Sequence, residues 1–229
     1  MDSEEARTAS VEVVGPPPLG PPPLGSGRVG EGGLYRKASR PGCGLVLGLV
    51  VLAWMVEIAD RVFGLIGIPI DALGIHPREM FGLVGVFLSP WLHGDWSHLA
   101  NNSVAFLGLG FLMVIAEGPR FLRTTFLLVV ISGLGTWLIG RGGSVHIGAS
   151  GLIYGYFGYL LLRAWTERRP LWIVVGIGVA LFYGGMLWGV LPTEEGISWE
   201  AHLCGFLGGL WLGRSHGKLS KVQAGKVFP

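Results

Sequence analysis

From about residue 43 onward the chain alternates long apolar runs with short polar breaks, and several runs approach the roughly 20 residues that a helix needs to cross a bilayer. Six helices are expected: Cys43–Phe63, His98–Ala116, Phe121–Ile139, Ser150–Leu162 (extending to Arg163), Leu171–Leu191 and Trp199–Leu212. The fourth and sixth are short and glycine-rich, so their ends are expected to lie recessed, where water can reach. The connection from about Ile68 to Ser97 carries Pro69, Pro77 and Pro90. Its apolar stretch Met80–Leu88 is too short to span and is expected to lie in, or re-enter, the interface. The expected fold class is all-α: a polytopic membrane protein built as a six-transmembrane-helix bundle over residues 41–215. A Pro/Gly-rich tail without a core is expected over 1–40, and a basic tail over 216–229. In the first of these, Pro16-Pro17-Pro18-Leu19-Gly20 is echoed by Pro21-Pro22-Pro23-Leu24-Gly25, a composition that favours extended, disordered chain.

Composition agrees with that pattern. Half of the 229 residues are hydrophobic and 14% are charged, against about 25% in a soluble domain; the mean hydropathy is +0.55. The 40 glycines fit closely approaching helices. A net charge of +2 without a basic, aromatic-interleaved cluster argues against nucleic acid. The two cysteines, Cys43 and Cys204, have no metal-ligand neighbours and are expected at different depths, unpaired. No metal or cofactor is expected.

Basic residues set the orientation. Arg36, Lys37, Arg40, Arg120, Arg123, Arg163, Arg168, Arg169, Arg214, Lys218, Lys221 and Lys226 fall on one side; the other has chiefly Arg78 and Arg141, with acidic Asp71, Asp95, Glu194 and Glu195. Both termini are therefore expected in the cytoplasm of a multi-pass protein of the cell membrane. Ser150 and His202 then lie toward the outer ends of their helices, at similar depth.

Those two residues carry the candidate chemistry. Ionisable and reactive side chains at membrane depth are costly, which marks them as functional candidates. Ser150 follows Gly148-Ala149 and precedes Gly151, with Tyr154 one turn on and on the same face. Gly151 and Gly155 form one small-residue stripe; Ala201, Gly205 and Gly209 form another beside His202. If the stripes meet, a Ser–His pair forms without a loop to carry it, and Tyr154 packs under the imidazole. Taken singly, Ser150 is a helix cap and His202 an interfacial histidine; the pairing points to a serine nucleophile with a general base. His98 and Asn102, four apart at the outer end of the second helix, can donate with the Ser150 N–H to an oxyanion. Asn101 falls on another face. No acidic residue is placed to orient His202, since Glu200 is two residues away on a different face, so a slow enzyme is expected.

Gly148-Ala149-Ser150-Gly151 with Tyr154, Ala201-His202 with Gly205 and Gly209, and His93…His98…Asn102 together resemble the rhomboid family of intramembrane serine proteases. The resemblance covers about Cys43 to Gly213. It implies a six-helix core, a Ser–His dyad with no third acid, and cleavage of the transmembrane segments of substrate proteins in the lipid bilayer. It assigns Ser150 as nucleophile, His202 as base, His98 and Asn102 as oxyanion residues, Tyr154 as the tyrosine beside the base and His93 as an outer histidine. Pro77-Arg78 stands where some members carry a Trp-Arg pair. Three other readings use the same residues: a catalytically silent relative that binds transmembrane helices, a haem protein ligated by His98 and His202, and a transporter. The small-residue stripes disfavour a haem cavity, and no inverted repeat supports a transporter. The fifth helix, with Phe182, Tyr183 and Trp188, is the candidate gate for substrate.

Overall fold

The computed structural model describes residues 40–192 and 196–225; the proline-rich repeat, Glu194 and Glu195, and residues 226–229 lie outside them. Among the described residues the chain is helical and has no strand, with one isolated antiparallel bridge between Ile75 and His146. In order, the helices are α1 (Arg40–Gly64), α2 (Gly82–Leu88), α3 (Trp96–Glu117), α4 (Phe121–Ile139), α5 (Ser150–Glu167), α6 (Pro170–Tyr183) and α7 (Trp199–Gly225), joined in part by short 3-10 turns.

Among the described residues three continuous stretches are long and apolar enough to cross a membrane: Gly42–Gly64, Trp96–Ile139 and Pro170–Val190. The second contains both α3 and α4, which meet at a 3-10 turn over Gly118–Arg120. On α1, Leu47, Val51, Met55, Ile58 and Val62 recur at helical spacing and are all exposed, an apolar stripe suited to lipid rather than water. α5 is the inverse case. Gly151 through Leu160 are buried without a break, so its surroundings are protein, and its sequence is free to carry Ser150, three tyrosines and Arg163. α5 is accordingly not among the three apolar stretches.

α5 packs against α3, α4, α6 and α7, most extensively against α7. The glycine stripes meet there. A β-carbon on Gly205 would overlap the carbonyl oxygen of Gly151, and one on Gly209 that of Gly155. Below the seam Tyr156, Phe157, Tyr159 and Leu160 fill the core with Leu109, Met113, Phe121 and Leu128. α7 runs past the expected end at Leu212, because Gly213 and Gly217 are followed by helix-favouring residues and no proline stops the helix.

The long first connection is pinned at several points. Asp60 of α1 accepts the backbone N–H of Ile70 (2.6 Å) and of Asp71 (3.1 Å). Arg61 donates to Glu57 (2.8 Å) and to the Gly94 carbonyl (2.8 Å). Glu57 is wholly buried beside its guanidinium partner. The Pro77-Arg78 departure also has a place: Arg78 donates to the carbonyls of Leu138 (3.1 Å) and Gly140 (2.8 Å), tying the connection to the end of α4. α2 packs on the same helix, Val86 against Gly133.

Candidate active site

α3 begins where it does because Asp95 caps it. The Asp95 carboxylate accepts the His98 N–H at 2.8 Å and the Ser97 hydroxyl at 2.5 Å, satisfying donors that the first turn would otherwise leave open. This places His98 in the first turn and Asn102 one turn further, on the same face. α5 begins at Ser150, after a loop that bends through Gly148 at φ +110°, and the Gly148 N–H is held by the Ser89 carbonyl at 2.8 Å.

Across the glycine seam, Ser150 Oγ lies 2.8 Å from His202 Nε2. The other ring nitrogen, Nδ1, lies 2.8 Å from the carbonyl oxygen of Gly189. A carbonyl can only accept, so Nδ1 carries the proton. Nε2 therefore presents its lone pair, and the Ser150 hydroxyl donates to it. The tautomer a general base requires is thus set by a backbone carbonyl in the 3-10 turn Gly184–Val190, where a triad would use a carboxylate. Tyr154 lies flat against the imidazole, ring centroids 4.0 Å apart and planes within 8°. His202 is buried and Ser150 half-buried.

A cavity of about 590 Å³ opens in front of the pair, lined by Ser150, His202, His98, Asn102, Tyr154 and Met186 among others. Within it, a β-carbon at Gly148 would stand 2.7 Å from His98 Nε2 and 3.4 Å from Asn102 Nδ2. Two side-chain nitrogens thus converge on space that only glycine leaves empty. Asn102 Nδ2 is buried and has no hydrogen-bond partner. A buried donor without a partner is costly and suits a group that arrives later with an oxygen. Asn101 borders the same cavity but is exposed.

His93 is brought to His98, not to Ser150. The two rings meet edge to face with centroids 5.0 Å apart, and His93 borders a separate cavity of about 30 Å³ between α1, α3 and α5. Burial, and next the neighbouring His98, pull the His93 pKa down to about 4, so it stays neutral near pH 7. Of the candidate gate residues, Phe182 and Trp188 are strongly exposed, and the Tyr183 hydroxyl lies against Gly108 of α3.

The sequence reading missed two groups. One is the Gly189 carbonyl, a backbone acceptor that no side-chain pattern announces. The other is His146, four residues ahead of Ser150, a buried histidine that contacts Ser198 ahead of α7; an ionisable residue so close to the serine was the available signal.

Chemically, a hydroxyl that donates to a correctly protonated imidazole can lose its proton as its oxygen attacks an electrophile, and the two converging nitrogens can meet negative charge developing beside it. Comparison with known proteins bears on the chain as a whole. An uncharacterised protein of Mycobacterium tuberculosis is 42% identical over 173 residues, covering 72% of this chain and 71% of that one. RHOMBOID-like protein 5 of Arabidopsis thaliana is 31% identical over 131 residues, 54% of this chain and 40% of that one. Rhomboid-like protease 5 of Toxoplasma gondii is 33% identical over 142 residues, 59% and 16%. The model of the Rhomboid domain matches residues 80–218, more than half of the chain, a range that includes the residues lining the cavity. With its exposed apolar helices this is a membrane protein, and the chain belongs to the rhomboid family.

Proposed function

We propose that this protein is an intramembrane serine endopeptidase that cuts transmembrane segments of other membrane proteins. The observation that carries the reading is the 2.8 Å contact from Ser150 Oγ to a His202 ring whose Nδ1 proton is already committed to Gly189. In this reading His202 Nε2 takes the Ser150 proton as Oγ bonds to the substrate carbonyl carbon. His98, Asn102 and the Ser150 N–H donate to the resulting oxyanion. The tetrahedral adduct collapses, the C–N bond breaks, and His202 returns the proton to the leaving amine. Water then attacks the acyl-enzyme by the same route, releasing the new carboxyl group and restoring Ser150. A substrate helix has its carbonyls already bonded, so it must unwind locally first; Gly or Pro near the cut assists.

The proposed topology has six spans, α1 and α3 to α7, with both termini cytoplasmic and the cavity open to the outer face. α5, at 18 residues, is about 27 Å long, short of the roughly 30 Å hydrocarbon core, which leaves Ser150 below the outer surface. The experiment is labelling of the detergent-purified protein with a fluorophosphonate, comparing wild type with Ser150→Ala and His202→Ala. Labelling confined to wild type supports the reading. A folded wild type that takes no label would turn it toward a silent relative that binds transmembrane helices.

A further inference from the structure

The dyad proposed above joins two helices that approach through glycine, and the close backbone contacts lie at Gly205 and Gly209, about one and two turns beyond His202. Something must also hold the outer turn of α7, where His202 sits. Besides the bonds of the His202 ring itself, two ties join that turn to the loop ahead of Ser150. Glu200 Oε1 accepts the Arg141 N–H at 3.1 Å. Ser198 Oγ lies 2.7 Å from His146 Nδ1.

The proton positions of the second tie can be worked out. Ser144 Oγ donates to the Arg141 carbonyl at 2.7 Å, so toward His146 Nε2, 3.1 Å away, it can only accept. The Arg141 carbonyl, 3.4 Å from the same nitrogen, is also only an acceptor. Nε2 therefore carries the hydrogen, and Nδ1 accepts from the Ser198 hydroxyl. Burial favours this neutral ring by holding the His146 pKa below its ordinary value. The His146 backbone is fixed as well, exchanging bonds with Ile75 at 3.0 and 2.9 Å. At the other end, the Ser198 carbonyl accepts the N–H groups of Ala201 (3.0 Å) and His202 (3.2 Å). One imidazole thus spans from four residues ahead of Ser150 to four residues ahead of His202.

We propose that His146 is a positioning residue for the Ser150–His202 pair, acting through Ser198 to fix the outer turn of α7 against the loop that delivers Ser150. It touches neither reacting group. Its effect is on geometry, where a displacement of about 1 Å costs on the order of a hundredfold in rate.

This inference rests on the dyad reading, and the test separates the two. Fluorophosphonate labelling of the full chain is measured against probe concentration, giving a maximal rate and an apparent binding constant, alongside a melting curve. His146→Phe keeps the volume and removes the acceptor; Ser198→Ala removes the donor. Each is expected to lower the maximal rate about tenfold or more while the binding constant stays within about twofold, the signature of misplaced groups. The double variant should be no slower than the slower single one, because both break the same bond. His146→Asn, with an acceptor where Nδ1 was, should keep most of the rate, whereas His146→Gln, reaching the Nε2 position, should not. Should His146→Phe fail to fold, Ser198→Ala decides alone. An unchanged maximal rate in Ser198→Ala, or additive losses in the double variant, overturns the proposal while leaving the dyad standing. A wild type that never labels at Ser150 overturns both.

Discussion

The α-carbon of Gly205 rests against the carbonyl oxygen of Gly151, so closely that a β-carbon has no place between them. That contact, one residue beyond Ser150 and three beyond His202, sets how near α5 and α7 come. Gly205→Ala is expected to force the helices apart. The overpacking should cost about 1–3 kcal/mol of stability and remove fluorophosphonate labelling of the protein that remains folded. A variant that melts and labels like wild type would show that the seam is not what spaces the pair.

The Gly189 carbonyl should be as sensitive. A β-carbon there would overlap the Tyr154 hydroxyl and stand 3.4 Å from His202 Nδ1. Gly189→Ala is expected to displace the carbonyl and free the imidazole to turn, lowering the maximal labelling rate on the order of tenfold to a hundredfold. Because the obstacle is the phenol oxygen, Tyr154→Phe in the same chain should restore part of the loss. A double variant as slow as the product of the two single effects would exclude this route, since contacting residues that share one clash are not additive.

What the sequence discloses here is what helical periodicity carries. Ser150 with Tyr154, His98 with Asn102, and the two glycine stripes each lie within one helix, so spacing of four residues is enough to place them on a face. The structure adds what no local period encodes. His146 and Ser198 are 52 residues apart, and Gly189 meets His202 through a main-chain oxygen. Apolarity also says little about α5, whose burial among other helices removes the need for a lipid-facing sequence. The burial of Glu57 is of the same kind: a carboxylate near a helix end is ordinarily wet, and only the fold shows it wholly buried beside Arg61, whose guanidinium also reaches the Gly94 carbonyl.

Asn102 offers a cleaner test of the site's chemistry than the dyad residues do. Its Nδ2 is buried without a partner beside the space that Gly148 leaves open. If that nitrogen waits for an oxyanion, Asn102→Ala should lower kcat by about 10²–10³ with little change in KM. The variant should melt no lower than wild type, because no hydrogen bond of Nδ2 in the resting protein is lost. Cleavage of a reporter transmembrane segment reads both constants. A loss appearing in KM alone would make Asn102 a substrate-binding group instead.

Asp71 makes the stability of the first connection depend on pH. Its pKa is raised from 3.8 to about 6, first by burial, then by the carboxylates of Asp60 and Glu57, against the opposing pull of Arg61 and of the His93 N–H. Between those two values the folded chain holds a proton that the unfolded chain has released. The contribution is therefore complete below about pH 4 and is lost as pH rises through about 6. Near neutrality the ionised group works against the fold, with one oxygen buried and unpartnered. Asp71→Asn keeps an oxygen for the His93 N–H and turns an amide toward the neighbouring carboxylates. The variant is expected to melt higher than wild type above pH 6, with the two curves converging toward pH 4; Glu57 and Asp60 are common to both chains, so the difference isolates Asp71. Asp71 is only partly buried, so water screens the effect and the separation should be smaller than the full shift would give. An Asn variant that is less stable than wild type at pH 7 would mean that the Asp71 charge is compensated, with Arg61 outweighing the two carboxylates beside it.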